Sequence, residues 1–129
     1  VVARHKPKTI VLYCGENDLW FGKPPKQVFA DFKELVRRVH KILPKTRIHY
    51  LACKPSPKRF EKWDVYQVCN RLIANHCDKD KNLNFVDVSK VMLGKDDQPL
   101  PDIWLKDKLH MNQAGYKRWT RLLTSVLAK

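Results

Sequence analysis

A carboxylate and an imidazole three residues apart, Asp107 and His110, stand just before an amphipathic run near the C-terminal end of this 129-residue chain. In one tight turn that spacing lets the carboxylate accept a hydrogen bond from one ring nitrogen and fix the tautomer. The other nitrogen is then free to act as a general base. Far upstream, Gly15-Glu16-Asn17-Asp18 follows an apolar run. Asn17 offers an amide donor to an oxygen that becomes negative in a transition state, and losing one such donor typically costs about 3 kcal/mol of barrier. Gly15 allows a sharp backbone turn. Each motif alone has a plainer reading, as a surface pair or helix cap for Asp-x-x-His and as an Asx-turn for Asn-Asp beyond a strand. Asp18 is assigned to such turn-fixing, and Glu16 to solvent.

What this set lacks is a nucleophile. Ser56 lies in a proline-bounded loop, Ser89 follows a strand and Ser125 sits in the last helix, remote from both motifs. Cys14 adjoins Gly15 at the end of an apolar run and is expected to be buried. None of the four is assigned the role. His5, His40, His49 and His76 have no carboxylate at motif spacing and are read as surface or partly packed residues. Trp20, Phe21, Trp104 and Met111 flank the motifs and suit either an acyl pocket or ordinary packing.

The elements that must hold these residues follow from periodicity. Thr9-Ile-Val-Leu-Tyr-Cys14 is a continuous β-branched and apolar run, as in a strand covered on both faces, and Arg47 to Cys53 and Leu83 to Val88 read as two more strands. After Lys23-Pro24-Pro25, apolar residues from Val28 to Leu43 recur at helical spacing. A second helix is expected from Glu61 to about His76, with Val65, Cys69, Leu72, Ile73 and His76 on its apolar face. A final helix is capped by Asn112, with Tyr116, Trp119, Leu122, Leu123, Val126 and Leu127 along one side. Ser89 to Lys108 reads as irregular. Strands alternating with helices imply parallel strands and right-handed crossovers, hence an α/β sandwich. Ligands of such sheets bind beyond the carboxyl ends of the strands, where Gly15 to Asp18, Lys54 to Pro57 and Asp107 to His110 all fall.

Together, Gly15-Glu-Asn17-Asp18 and Asp107-Lys-Leu-His110-Met-Asn-Gln-Ala-Gly115-Tyr116 resemble the later blocks of the SGNH (GDSL-type) esterase and lipase family. The second motif is also similar to that of platelet-activating-factor acetylhydrolase catalytic subunits and related bacterial esterases. The resemblance spans nearly the whole chain and implies a flavodoxin-like three-layer sandwich on a parallel sheet ordered 2-1-3-4-5. It further implies an acyl-enzyme mechanism without cofactor or metal. Asp107 and His110 match the family's triad Asp and His, and Asn17 its oxyanion-hole asparagine. The family's Gly-Asp-Ser block, which carries the nucleophile, and its following glycine block have no counterpart here. Residues 1–129 are therefore expected to be the C-terminal part of a single domain, supplying strands three to five with their inner edge open. Val1-Val-Ala-Arg-His-Lys-Pro7 reads like the last turn of a helix closed by a proline, which agrees with upstream sequence. The expected partners are a small ester or lipid substrate and the rest of the domain. An inactive domain of the same shape that binds a polyanion is the alternative.

Bulk properties set the frame. The formal charge is +13, from 26 Lys and Arg against 13 Asp and Glu. The basic residues are spread over predicted polar helix faces and are not interleaved with aromatics, which speaks against nucleic acid as the partner. No apolar run is long enough to span a bilayer. Cys14, Cys53, Cys69 and Cys77 lack metal-site spacing, and Cys69 and Cys77 stand about 12 Å apart along one helix, too far to bridge. Cys14 and Cys53 end neighbouring strands and could approach each other. Free buried thiols are the expectation, with a lean toward a reducing compartment such as the cytoplasm. The Gly-x-Ser-x-Gly elbow of the larger α/β-hydrolase fold is absent.

Overall fold

Three short parallel strands, β1 (Thr9–Leu12), β2 (Arg47–Leu51) and β3 (Leu83–Val86), form a sheet in the order β1-β2-β3. The structure is a computed structural model that describes residues 2–129; of the N-terminal helix turn expected at residues 1–7, Val1 lies outside the described residues, and Val2–His5 forms a 3-10 turn. Four helices accompany the sheet: α1 (Glu16–Trp20), α2 (Pro25–Ile42), α3 (Trp63–Cys77) and α4 (Gln113–Leu127). The strands end sooner than their apolar runs do. Beyond Leu12, Leu51 and Val86 the backbone leaves the ladder to build the loops that hold the candidate site.

Alternation along the strands divides the core in two. Ile48 and Tyr50 of β2, with Leu83 of β3, face α2 and α3 and pack with Val28, Phe32, Tyr66, Cys69 and Ile73. Leu51 and Val86 face the other way, toward Val88, Met92, Ile103, Trp104 and the half-buried Trp119, Leu122, Leu123 and Val126 of α4. The result is the expected three-layer α/β sandwich. Side chains cross its layers: Asn70 of α3 accepts a hydrogen bond from the Cys53 amide (2.9 Å), pairing a backbone donor just past β2. Pro25 in the first turn of α2 needs no amide partner, and Asn112 caps α4 as its position predicts, accepting from the Gly115 amide at 3.1 Å.

Some expectations need correction. The buried face of α3 runs through Tyr66, Cys69, Asn70, Ile73 and Cys77, whereas Val65 is exposed. A 3-10 turn over Pro57–Lys62, non-helical at Arg59, delays the start of α3 to Trp63 and rotates its face. The segment read as irregular contains a 3-10 turn (Val88–Val91) and two antiparallel bridges, Leu93 to Pro99 and Trp104 to Met111. β1 is one edge of the sheet and is not covered on both faces: Val11 is 44% exposed. Tyr116 and Leu127 of α4 are likewise open, so its apolar stripe is only half used. All four cysteines are free, and Cys14 is exposed because the chain has already left β1 when it reaches this residue.

Candidate active site

The Trp104 to Met111 bridge closes a small hairpin in which the Leu105 amide donates to the His110 carbonyl (2.8 Å) and the Lys108 amide to the Leu105 carbonyl (3.0 Å). Lys108 adopts a left-handed backbone, φ 57°, an uncommon state for a residue with a side chain. That reversal places the Leu109 and His110 amides on Asp107 Oδ1, each at 3.0 Å, while Asp107 Oδ2 meets His110 Nδ1 at 2.5 Å. The hydrogen bond from His110, with those from the two amides, holds the Asp107 carboxyl well below the usual carboxylate range. An ionised Asp107 makes Nδ1 the protonated nitrogen and leaves Nε2 of a neutral ring as the acceptor. The imidazole is 63% exposed.

The loop base is tightly packed. A Cβ on Gly115 would come within 2.7 Å of the Ile103 carbonyl and 2.8 Å of Met111 Cβ, so only glycine lets α4 start this close to the hairpin. At the other motif, Gly15 adopts φ 100° at the head of α1, and a Cβ there would lie 2.8 Å from Val28. This turn sets Glu16 and Asn17 at the carboxyl end of β1.

Asn17 does not close an Asx-turn. Its carboxamide oxygen accepts from Arg59 Nη1 at 2.7 Å. Glu16, assigned to solvent from the sequence, is 5% exposed and anchors a buried charge cluster. Lys54 Nζ lies 3.0 Å from one of its oxygens and Arg59 Nη1 3.3 Å from the other, and the Tyr13 hydroxyl donates to it. Burial first, and then the charge of Glu16, drive the Tyr13 phenol far above its ordinary range, so it stays a donor. Trp20 lies under the Arg59 guanidinium, 5.2 Å from ring centre to Cζ. Asp18 is exposed, 3.7 Å from Lys23, in place of the turn-fixing role expected of it.

These residues meet in one cleft of about 700 Å³ at the carboxyl edge of the sheet, lined by Tyr13 to Asp18, Lys54, Arg59, Leu109 to Met111, Tyr116 and Trp119. Asn17, Gly15 and His110 share it. Of the four aromatic and Met residues that flank the motifs, Met111 alone is among its walls; Trp104 is buried and bonded to the Leu100 carbonyl, and Phe21 points to solvent. Ser56 is fully buried, Ser89 is held by Asp87 at 2.5 Å, and neither of them nor Ser125 lines the cleft. Cys14 does line it, but partial desolvation against the cleft wall and the charge of Asp18 push its thiol up, so less of it is thiolate than in a free cysteine. His49 is buried beside Asn84 rather than on the surface.

Tyr13 and Arg59 were not singled out from the sequence, Glu16 was assigned to solvent, and Lys54 was placed at the ligand edge without a role. The available signal was positional: Lys54 and Arg59 bracket Pro55-Ser56-Pro57, which had to lie at the same sheet edge as Glu16. Among the described residues no group of three or more His, Cys, Asp or Glu side chains converges on a metal-sized space, and no helix is long and apolar enough to cross a membrane.

The model of the GDSL-like Lipase/Acylhydrolase family matches residues 1–118. Among curated proteins no sequence matches. The fold is similar to that of a Streptococcus pneumonia protein described provisionally as a platelet activating factor, at 23% identity and TM-score 0.81, over 93% of this chain and 59% of that one. It is also similar to a Clostridium thermocellum family 3 carbohydrate esterase, at 18% identity and TM-score 0.72, over 96% and 57%. A GDSL-like lipase from Bacteroides thetaiotaomicron matches at 20% identity and TM-score 0.72, over 95% and 62%. The chain thus spans about three fifths of the length of the solved chains it resembles.

Proposed function

The chain belongs to the GDSL-like lipase and acylhydrolase family, and on that premise we propose that residues 1–129 are the C-terminal part of a single ester-hydrolase domain whose nucleophilic serine lies in sequence outside them. The serine hydroxyl gives its proton to His110 Nε2 as its oxygen attacks the ester carbonyl. Asp107 keeps the ring in the required tautomer and stabilises the imidazolium. The carbonyl oxygen, now negative, takes hydrogen bonds from Asn17 Nδ2 and from backbone amides. His110 returns the proton to the departing alcohol, leaving an acyl-serine; water, deprotonated by the same nitrogen, attacks that ester, and the proton passes to the serine oxygen as the acyl–oxygen bond breaks and the acid leaves.

One observation carries this reading: Asn17 and the Asp107-held His110 line the same cleft, although 93 residues separate them in the chain. Leu109, Met111, Tyr116 and Trp119 give that cleft an apolar side suited to the acyl or alcohol part of a small ester or lipid. The half-open β1 edge and α4 stripe are the surfaces on which the rest of the domain would pack.

His110→Ala in the protein that carries the serine is expected to lower ester turnover by roughly 10³-fold or more without unfolding it. Wild-type turnover in that variant overturns the assignment. The formal charge of +13 favours a second reading, an inactive domain that binds a polyanion. It requires a steep salt dependence of binding to heparin; no binding at low salt excludes it.

A further inference from the structure

We infer that Arg59 is a positioning residue for Asn17: it fixes which end of the carboxamide faces the cleft and raises the donor strength of that end. This inference deepens the ester-hydrolase reading and rests on it for its catalytic consequence, but not for its geometry. A guanidinium carries only donors, so the Asn17 atom 2.7 Å from Arg59 Nη1 must be the carbonyl oxygen. With Oδ1 held there, Nδ2 and its two hydrogens are left for the cleft, the orientation an anionic oxygen requires. Nothing on α1 itself could enforce this. Asn17 is exposed, and a free side chain would sample both amide orientations.

Arg59 is itself immobilised. Glu16 Oε1 lies 3.3 Å from the same Nη1, Trp20 lies under the guanidinium plane, and the Arg59 amide donates to the Ser56 carbonyl at 3.2 Å. Glu16 is in turn fixed on its far oxygen by Lys54 and Tyr13. The chain of contacts therefore runs from a buried carboxylate through a cation to the amide. It parallels Asp107 holding His110, with a planar guanidinium in place of the carboxylate. A positive charge behind the carbonyl also polarises the amide and makes Nδ2–H a better donor.

The test uses two readouts. In the ¹⁵N-labelled 129-residue chain, the Asn17 Nδ2 hydrogens are assigned by their loss in Asn17→Asp and followed in Arg59→Met and in the milder Arg59→Lys. The inference predicts a distinct Asn17 pair in the wild type that moves toward the free-asparagine position in Arg59→Met, and at least partway in Arg59→Lys, while core amides hold. An unmoved pair in either folded variant overturns it. In the serine-bearing protein, Arg59→Met should lower kcat by roughly 10- to 100-fold with KM changed less than about threefold. A rise in KM alone overturns the catalytic part. A shifted Asn17 pair with no wild-type ester turnover would sink the hydrolase reading and keep the orientation; turnover with an unmoved pair would do the reverse.

Discussion

Two carboxylates stand at the same edge of the sheet, each beside a group that carries or can take positive charge, and they are built in opposite ways. Asp107 meets a histidine three residues away, in a hairpin open to water. Glu16 meets Lys54 and Arg59, which lie 38 and 43 residues further along the chain, in a nearly buried cluster whose side chains are 6–10% exposed. In the proposed mechanism the exposed pair is the one that must gain and lose a proton in each cycle. The buried cluster suits groups that must not change, because separating charges in a dry site is costly. On that reading, working parts and holding parts are divided by solvent access.

The contrast breaks most visibly at Glu16. Glu16→Gln leaves Lys54 and Arg59 as buried cations without their counter-charge and should cost about 3–5 kcal/mol, read as a lower urea midpoint at unchanged slope. Asp107→Asn should change the midpoint far less, since its surroundings are wet. Equal losses in the two variants would erase the distinction. Between these falls Gly115→Ala: a methyl 2.7 Å from the Ile103 carbonyl must push the hairpin off α4, at about 1–3 kcal/mol.

Acid titration sharpens the same comparison. Asp107 has a folded pKa below its unfolded value, so the stability it adds is complete above about pH 4 and fades as pH falls through the lower, folded value. Glu34, held down to about 2 by Arg37 and then Arg38, behaves the same way. Carboxyl ¹³C shifts followed from pH 6 to pH 2 should show the Asp107 signal still largely ionised near pH 3. A midpoint at the ordinary value would mean the pair is not formed. The smallest effect concerns thiols. Cys14 is exposed, whereas Cys53, Cys69 and Cys77 are buried, the last two with thiols pushed up to about 11 by desolvation, so one of the four cysteines should react with a disulfide reagent in the native state at pH 8. Fast labelling of two or more would contradict the packing of α3.

What could be read from the sequence was what the chain encodes locally. The Asp107-x-x-His110 turn, the Asn112 cap, the proline-led α2 and the three strand runs each depend on spacings of a few residues, and backbone geometry translates those spacings directly. The alternation of strands and helices was enough to gather the motifs at one sheet edge. Glu16, Lys54 and Arg59 were out of reach by the same logic. A charged residue is read as solvated unless its partner is visible nearby, and these partners meet only when β1 and β2 pair in register and the turn over 57–62 swings Arg59 inward. The exposure of Cys14 and the rotated face of α3 belong with them. Whether a side chain is wet or dry is set by what the rest of the chain places on top of it, and tertiary structure alone decides that.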